Sequence, residues 1–191
     1  MYRYFASKDE LMVAAQERVI GEIQSQLTQA LARIDAHLGR ARSLDKKQIA
    51  LLRVMAMPLV HEWIAVERPA YFALLGLSIA TPKVLVATEK AQPALFALMS
   101  LNLAIARLLD EAAQAGALST GDASRRAVLM WASHQGVLQL RKLDRFGLPA
   151  LAFSRMSHDL VAPLLIGWGA SSEDVGPLYD RARRILAEPA S

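Results

Sequence analysis

The sequence predicts an all-α fold of about seven to nine helices, and three observations carry that expectation. Apolar residues recur at intervals of three and four along most of the chain, the spacing of one face of a helix. No stretch alternates apolar and polar residues for long enough to make a half-buried strand. Glycines, prolines and capping residues divide the apolar stripes into helix-length segments, without an internal repeat or a low-complexity tract.

The first helix is expected to start at Ser7, because Ser7-Lys8-Asp9-Glu10 reads as a capping box with acids at the positive helix end. Its stripe is Ile20, Ile23, Leu27, Ala30, Leu31, Ile34 and Leu38, and Gly39 is a plausible stop. A second pattern runs from Asp45 through Ile49, Leu52, Met55 and Leu59 to Trp63, with Pro58 placed to kink or divide it. Pro69 opens a nearly all-apolar helix over Tyr71 to Ile79, closed by Thr81-Pro82. The next helix is expected to follow Pro93 and run through Leu109 to Ala115, ended by Gly116. A helix from Asp122 to Asp144 carries Ala127, Met130, Trp131, His134 and Leu138, with Arg141 and Lys142 suiting its negative end. Gly147 and Pro149 mark a loop; the stripe Phe153, Met156, Leu160, Leu164 and Trp168 follows, before Gly169. A last amphipathic helix uses Val175, Leu178, Tyr179, Ala182, Ile185 and Leu186.

The 191 residues are enough for one sizeable core. At 53% hydrophobic and 21% charged residues, with mean hydropathy +0.23, the chain has more apolar surface than a soluble monomer usually needs to hide, which a second copy or an apolar ligand would cover. The longest uncharged stretches are interrupted by prolines and fall short of the roughly 20 residues of a spanning helix. Nothing at the N-terminus has the apolar core of a signal peptide, so a cytoplasmic location is expected. The absence of cysteine excludes disulfides, thiolate nucleophiles and cysteine-ligated metal. The net charge of +4 permits an anionic partner, but the bases are dispersed among acids and form no tract.

Catalytic signatures are missing. His61-Glu62 lacks the second histidine four residues on that a helical zinc motif requires, because position 65 is alanine. There is no glycine-rich phosphate loop, no serine nucleophile elbow and no histidine pair at metal-ligand spacing. No catalytic residue, metal or cofactor is therefore expected, and no enzymatic activity. The clusters Arg125 and Arg126, Arg141, Lys142 and Arg145, and Arg181, Arg183 and Arg184 read as solvated faces or ion pairs.

The opening Tyr2-Arg3-Tyr4-Phe5-Ala6-Ser7-Lys8-Asp9-Glu10-Leu11 resembles the junction between recognition helix and connecting helix in TetR-family transcriptional regulators. Trp131-Ala132-Ser133-His134-Gln135-Gly136 is similar to a Trp-x-x-x-His-Gly pattern in the dimerisation helix of one subgroup, with Gln135 standing between His134 and Gly136. The resemblance implies a remnant of a helix-turn-helix domain over residues 1–6 and a ligand-binding and dimerisation domain over 7–191. It implies that Tyr2, Tyr4 and Lys8 match phosphate-contacting positions, which position a protein on DNA without reading sequence. Base reading would belong to helices ahead of Met1, so this chain by itself is not expected to bind DNA specifically.

By the same resemblance the effector lies among the central helices. Met55, Met57, Trp63, Phe72, Phe96 and Met99, with Trp131 and His134, are the candidate lining, and methionine and aromatic groups suit an adaptable apolar pocket. The expected effector is apolar or amphipathic, the expected partner is a second copy of the chain, and repression is the expected output. A four-helix dimer interface would draw on Val128, Ala132 and Leu138 from one helix and Met156, Leu160, Leu164 and Trp168 from the next. The alternative is a helical small-molecule carrier or interaction protein that acts without DNA.

Overall fold

A computed structural model describes residues 5, 7–40, 44–80, 86 and 88–188. Among them are eight α-helices, two short 3-10 segments and no strand, so the chain is all-α as its periodicity predicts.

Helix α1 (Lys8–Arg40) is the longest element, 33 residues or about 50 Å. The Ser7 hydroxyl accepts from the Glu10 amide at 3.2 Å, which caps the first turn as the sequence predicts. The helix passes through Gly39 and ends one residue later. Its stripe Ile20, Ile23, Leu27, Ala30 and Ile34 is buried, and it packs on five of the helices that follow, so it forms the spine of the bundle.

The pattern from Asp45 to Trp63 is two helices. Asp45 and Gln48 cap each other reciprocally to start α2 (Lys46–Val54), and α3 (Ala56–Glu67) follows after a break at Met55. The break lies where Pro58 acts: proline has no N–H to give to the Val54 carbonyl four residues earlier, and its ring crowds that oxygen. Helix α3 is buried at nearly every position from Ala56 to Ala65, making it the central helix. This explains why 46–67 is one of two described segments apolar and long enough by composition to cross a membrane, with 72% of its most apolar window inside the fold; 89–114 is the other.

Pro69 opens α4 (Pro69–Ala80) at its first position, where a missing N–H leaves no bond unmade. Helix α5 (Thr88–Gln114) starts five residues before Pro93, not after it. Its second half supplies Leu101, Ile105, Leu108, Leu109 and Ala112 to the core. Gly116 ends it at φ 77, a left-handed conformation that lets the Ala117 amide reach back to the Ala112 carbonyl at 2.8 Å.

The helix expected from Asp122 to Asp144 is shorter: α6 (Ala123–Gln139), capped by Asp122, tightens into a 3-10 stretch over Leu140–Phe146. Then come a single 3-10 turn (Pro149–Leu151), α7 (Phe153–Gly167) and α8 (Ser172–Ala187), the last capped by Ser171. The turn between α5 and α6 is tied to the end of α7 by the Ser119 amide donating to the Trp168 carbonyl at 2.7 Å. Gly169 beside it has φ 103, and a Cβ there would lie 3.0 Å from the Ser119 nitrogen. Gly169→Ala is accordingly expected to lower stability by more than about 1 kcal/mol in urea unfolding, through both backbone strain and the clash.

Candidate functional site

The core of a helical bundle is ordinarily filled by apolar side chains, and buried polar groups persist there only when they satisfy one another. Six polar side chains meet in this core. Helix α3 brings His61 and Glu62, α6 brings His134 and Gln135, α7 brings Ser157 and α8 brings Tyr179. His61, Glu62, His134, Gln135 and Ser157 are the buried polar or charged residues among those described, and Tyr179 is as buried as they are.

These side chains form one continuous chain. Tyr179 and Ser157 hydroxyls both donate to Glu62 Oε1. His134 Nε2 lies 2.7 Å from Ser157 Oγ, and His134 Nδ1 faces His61 Nδ1 at 3.3 Å. His61 Nε2 lies 2.7 Å from Gln135 Oε1. The far nitrogen of the same carboxamide, Gln135 Nε2, is buried without a hydrogen-bond partner.

Burial sets the titration of the chain. It depresses His61 to about 4, partly opposed by the bond to Gln135. It depresses His134 to about 3, with further lowering from a charge on neighbouring His61. Both imidazoles are neutral at pH 7 for this reason. Burial also raises the Tyr179 hydroxyl above its usual range; the charge on Glu62 and its hydrogen bond add to the rise, while Ser157 and Arg183 oppose it.

His61 is the point where the polar chain meets an apolar cavity. Ile23 and Leu27 of α1, Met57 and Val60 of α3, Leu101 and Ile105 of α5, and Trp131 of α6 surround it, with His61 as the polar group on the wall. The cavity is narrow, about 280 Å³ with its open mouth included, and its interior has room for about one water molecule. Occupation by a larger molecule would require one wall to give way.

Of the expected effector lining, Met57 and Trp131 face this cavity. Phe72 lies behind it, its ring centroid 6.0 Å from that of His61. Met55 and His134 are fully buried but belong to the core and to the polar chain. Trp63, Phe96 and Met99 point outward, with Phe96 66% and Met99 55% exposed, and do not line this cavity. Their methionine and aromatic character fitted a pocket, but Phe96 and Met99 sit on an exposed face of α5, and Trp63 lies under the Arg68 guanidinium, 5.6 Å from its ring centroid.

Among the expected dimer residues, Val128 is 47% exposed and Ala132 also faces outward. Met156, Leu160, Leu164 and Trp168 are half-buried. Leu138, at 1% exposure, is turned into its own core, and Leu129 and Ile166 join Val128 as exposed apolar residues on α6 and α7. Lys8 is exposed at the start of α1, while Tyr2 and Tyr4 lie outside the described residues.

His61 and Glu62 received attention in the sequence only as half of a zinc motif, and Gln135 only as an interruption. Two adjacent polar residues inside the otherwise apolar run from Met55 to Ile64 were the available signal. No group of three or more metal-binding side chains occurs among the described residues. No family model matches the chain, and neither the curated proteins nor the solved structures contain a match.

Proposed function

We propose that this chain is the effector-sensing and dimerisation module of a TetR-type transcriptional regulator, a cytoplasmic repressor whose ligand is an apolar or amphipathic small molecule. The observation that carries the reading is the apolar cavity ending on His61 and walled in part by Ile23 and Leu27 of α1. A ligand that forces this cavity open displaces the 33-residue helix whose first turn adjoins the resemblance to the recognition-helix junction. Sensing then follows from differential affinity for two positions of α1, the closed one present here and an opened one. Operator DNA enters only with helix-turn-helix residues ahead of α1.

The exposed apolar side chains Val128, Leu129 and Ile166 support self-association through α6 and α7. The Ser157–His134 pair does not favour catalysis, because both groups are fully buried and closed to a substrate. A carrier acting without DNA is the competing reading, and the same cavity would serve it.

Light scattering on a sizing column, followed by native mass spectrometry, tests the proposal. A dimer that retains or takes up an apolar compound is expected, and the double variant Val128→Glu, Ile166→Glu is expected to run as a folded monomer. A wild-type monomer that binds no apolar compound would overturn it.

A further inference from the structure

We propose that the outer face of α5 is a docking surface for the same face of a second copy, the two helices running antiparallel and meeting near Met99. The inference goes beyond the sensor reading, does not depend on it, and concerns a contact separate from the one through α6 and α7.

Helix α5 turns Leu101, Ile105, Leu108 and Leu109 into the core, whereas Leu95, Phe96, Met99 and Leu103 are each more than half exposed. Their spacing of three and four keeps these four in one stripe. Gln24 of α1 reaches Ser100 at 3.0 Å, and Asn102 reaches the Ser124 carbonyl of α6 at 3.5 Å. Helices α1 and α6 therefore flank α5, and the stripe faces outward between them. Residues 91–106 carry no charge. Only 28% of the most apolar window of 89–114 lies inside the fold, which leaves a continuous apolar surface to be covered.

The charges at the two ends of the stripe identify what covers it. Lys90 is taken up by Glu10 of α1, 3.9 Å away. Glu89 and Arg107 are exposed, and neither has an ion-pair partner among the described residues. They are eighteen residues apart, about five helical turns, so they lie on the same edge of the stripe on opposite sides of its midpoint near residue 98. An antiparallel pairing about a two-fold axis at that midpoint brings each edge against the same edge of the other copy with its direction reversed. Glu89 of each protomer then meets Arg107 of the other, Met99 lies near its own counterpart, and Leu95 lies across from Leu103. A parallel pairing would set Glu89 against Glu89 and Arg107 against Arg107, and an anionic lipid surface would repel Glu89. One helix from each chain makes a small contact, so its dissociation constant is expected above about 1 μM, and it joins copies at high concentration only.

Cross-linking and sedimentation test the pairing. The chain has no cysteine, so Met99→Cys supplies a single thiol close to the axis and Gln92→Cys a single thiol well away from it. Under mild oxidation at high concentration Met99→Cys is expected to cross-link at least about tenfold faster, because two thiols at position 92 would be about 20 Å apart. In sedimentation velocity the wild-type mass is expected to rise with concentration. Leu103→Glu, at an exposed position, should abolish that rise and leave the circular dichroism unchanged. Glu89→Arg alone and Arg107→Glu alone should each weaken the association by about fivefold at low salt, and the double reversal should restore it. Equal cross-linking at 92 and 99, or a double reversal no better than the single ones, would overturn the antiparallel pairing. A wild-type mass that stays constant would overturn it too, and binding to phosphatidylglycerol vesicles that Leu103→Glu loses would then assign the face to lipid.

Discussion

Replacing Tyr179 by alanine is expected to destabilise the protein by about 3–5 kcal/mol, the largest single-site loss in the molecule. The side chain is among the largest fully buried groups and packs in the central cluster between α8, α3 and α7. Its removal opens a cavity and takes from Glu62 one of the two hydroxyl groups that donate to it. Tyr179→Phe separates these effects, since it keeps the ring and deletes only the donor. A loss of about 1.5–3 kcal/mol is expected for that variant, the range for hydrogen bonds to charged groups. Urea unfolding of the two variants measures both, and an unchanged midpoint for Tyr179→Phe would show that Ser157 alone suffices for Glu62.

The size of these effects follows from where the polar chain sits. A buried hydrogen-bonded network that is fully satisfied specifies one arrangement of the helices around it, whereas the loss of a member leaves charged or polar atoms stranded. Four helices contribute to this chain, and α3 at the centre contributes His61, which faces the cavity, and Glu62, which meets Tyr179 of α8. The Arg53–Asp35 pair, by contrast, lies at the surface, with Arg53 half-buried and Asp35 exposed, and joins α2 to α1 at 3.1 Å with little expected consequence for stability.

Local signals carried far in reading this fold. The stripe from Ile20 to Ile34, the Ser7 cap, Pro69 at a helix start and the glycines ending α5 and α7 were all legible, because each acts through neighbours within a turn or two. Boundaries failed where the same residue has two permitted places. Pro93 suits a helix start, but in the second turn of α5 it removes one hydrogen bond that the rest of a 27-residue helix tolerates. The candidate site was legible only in part, since its contacts are long-range. His61 and His134 are 73 residues apart in sequence, and Tyr179 is 117 from Glu62. No periodicity encodes such pairings. Residue type selected Met57 and Trp131, which face the cavity, and by the same rule selected Phe96 and Met99, whose exposure depends on which face of α5 meets α1 and α6.

Acidification from pH 7.5 to pH 5 is expected to remove about 4 kcal/mol of stability through the two buried histidines. Each has a folded-state value below its unfolded value near 6.5, about 4 for His61 and about 3 for His134, because burial disfavours the imidazolium. The unfolded chain therefore binds protons that the folded chain refuses. The stabilisation is present in full above about pH 6.5, declines as the pH falls, and is exhausted only below the folded-state values. At pH 5 each histidine is about 1.5 units below its unfolded value and still above its folded one, which at about 1.4 kcal/mol per unit gives about 2 kcal/mol apiece. A loss of that size is a large share of the total stability of about 5–15 kcal/mol typical of a domain. The Glu62 carboxyl, 4.0 Å from His134 Nε2, opposes the loss once it compensates a charge on the ring. Urea unfolding across this pH range measures the slope. The double variant His61→Gln, His134→Gln is expected to be less stable at pH 7.5 yet flatter in its pH dependence, because it has neither imidazole to protonate. A variant that kept the full wild-type slope would place the acid sensitivity outside this pair.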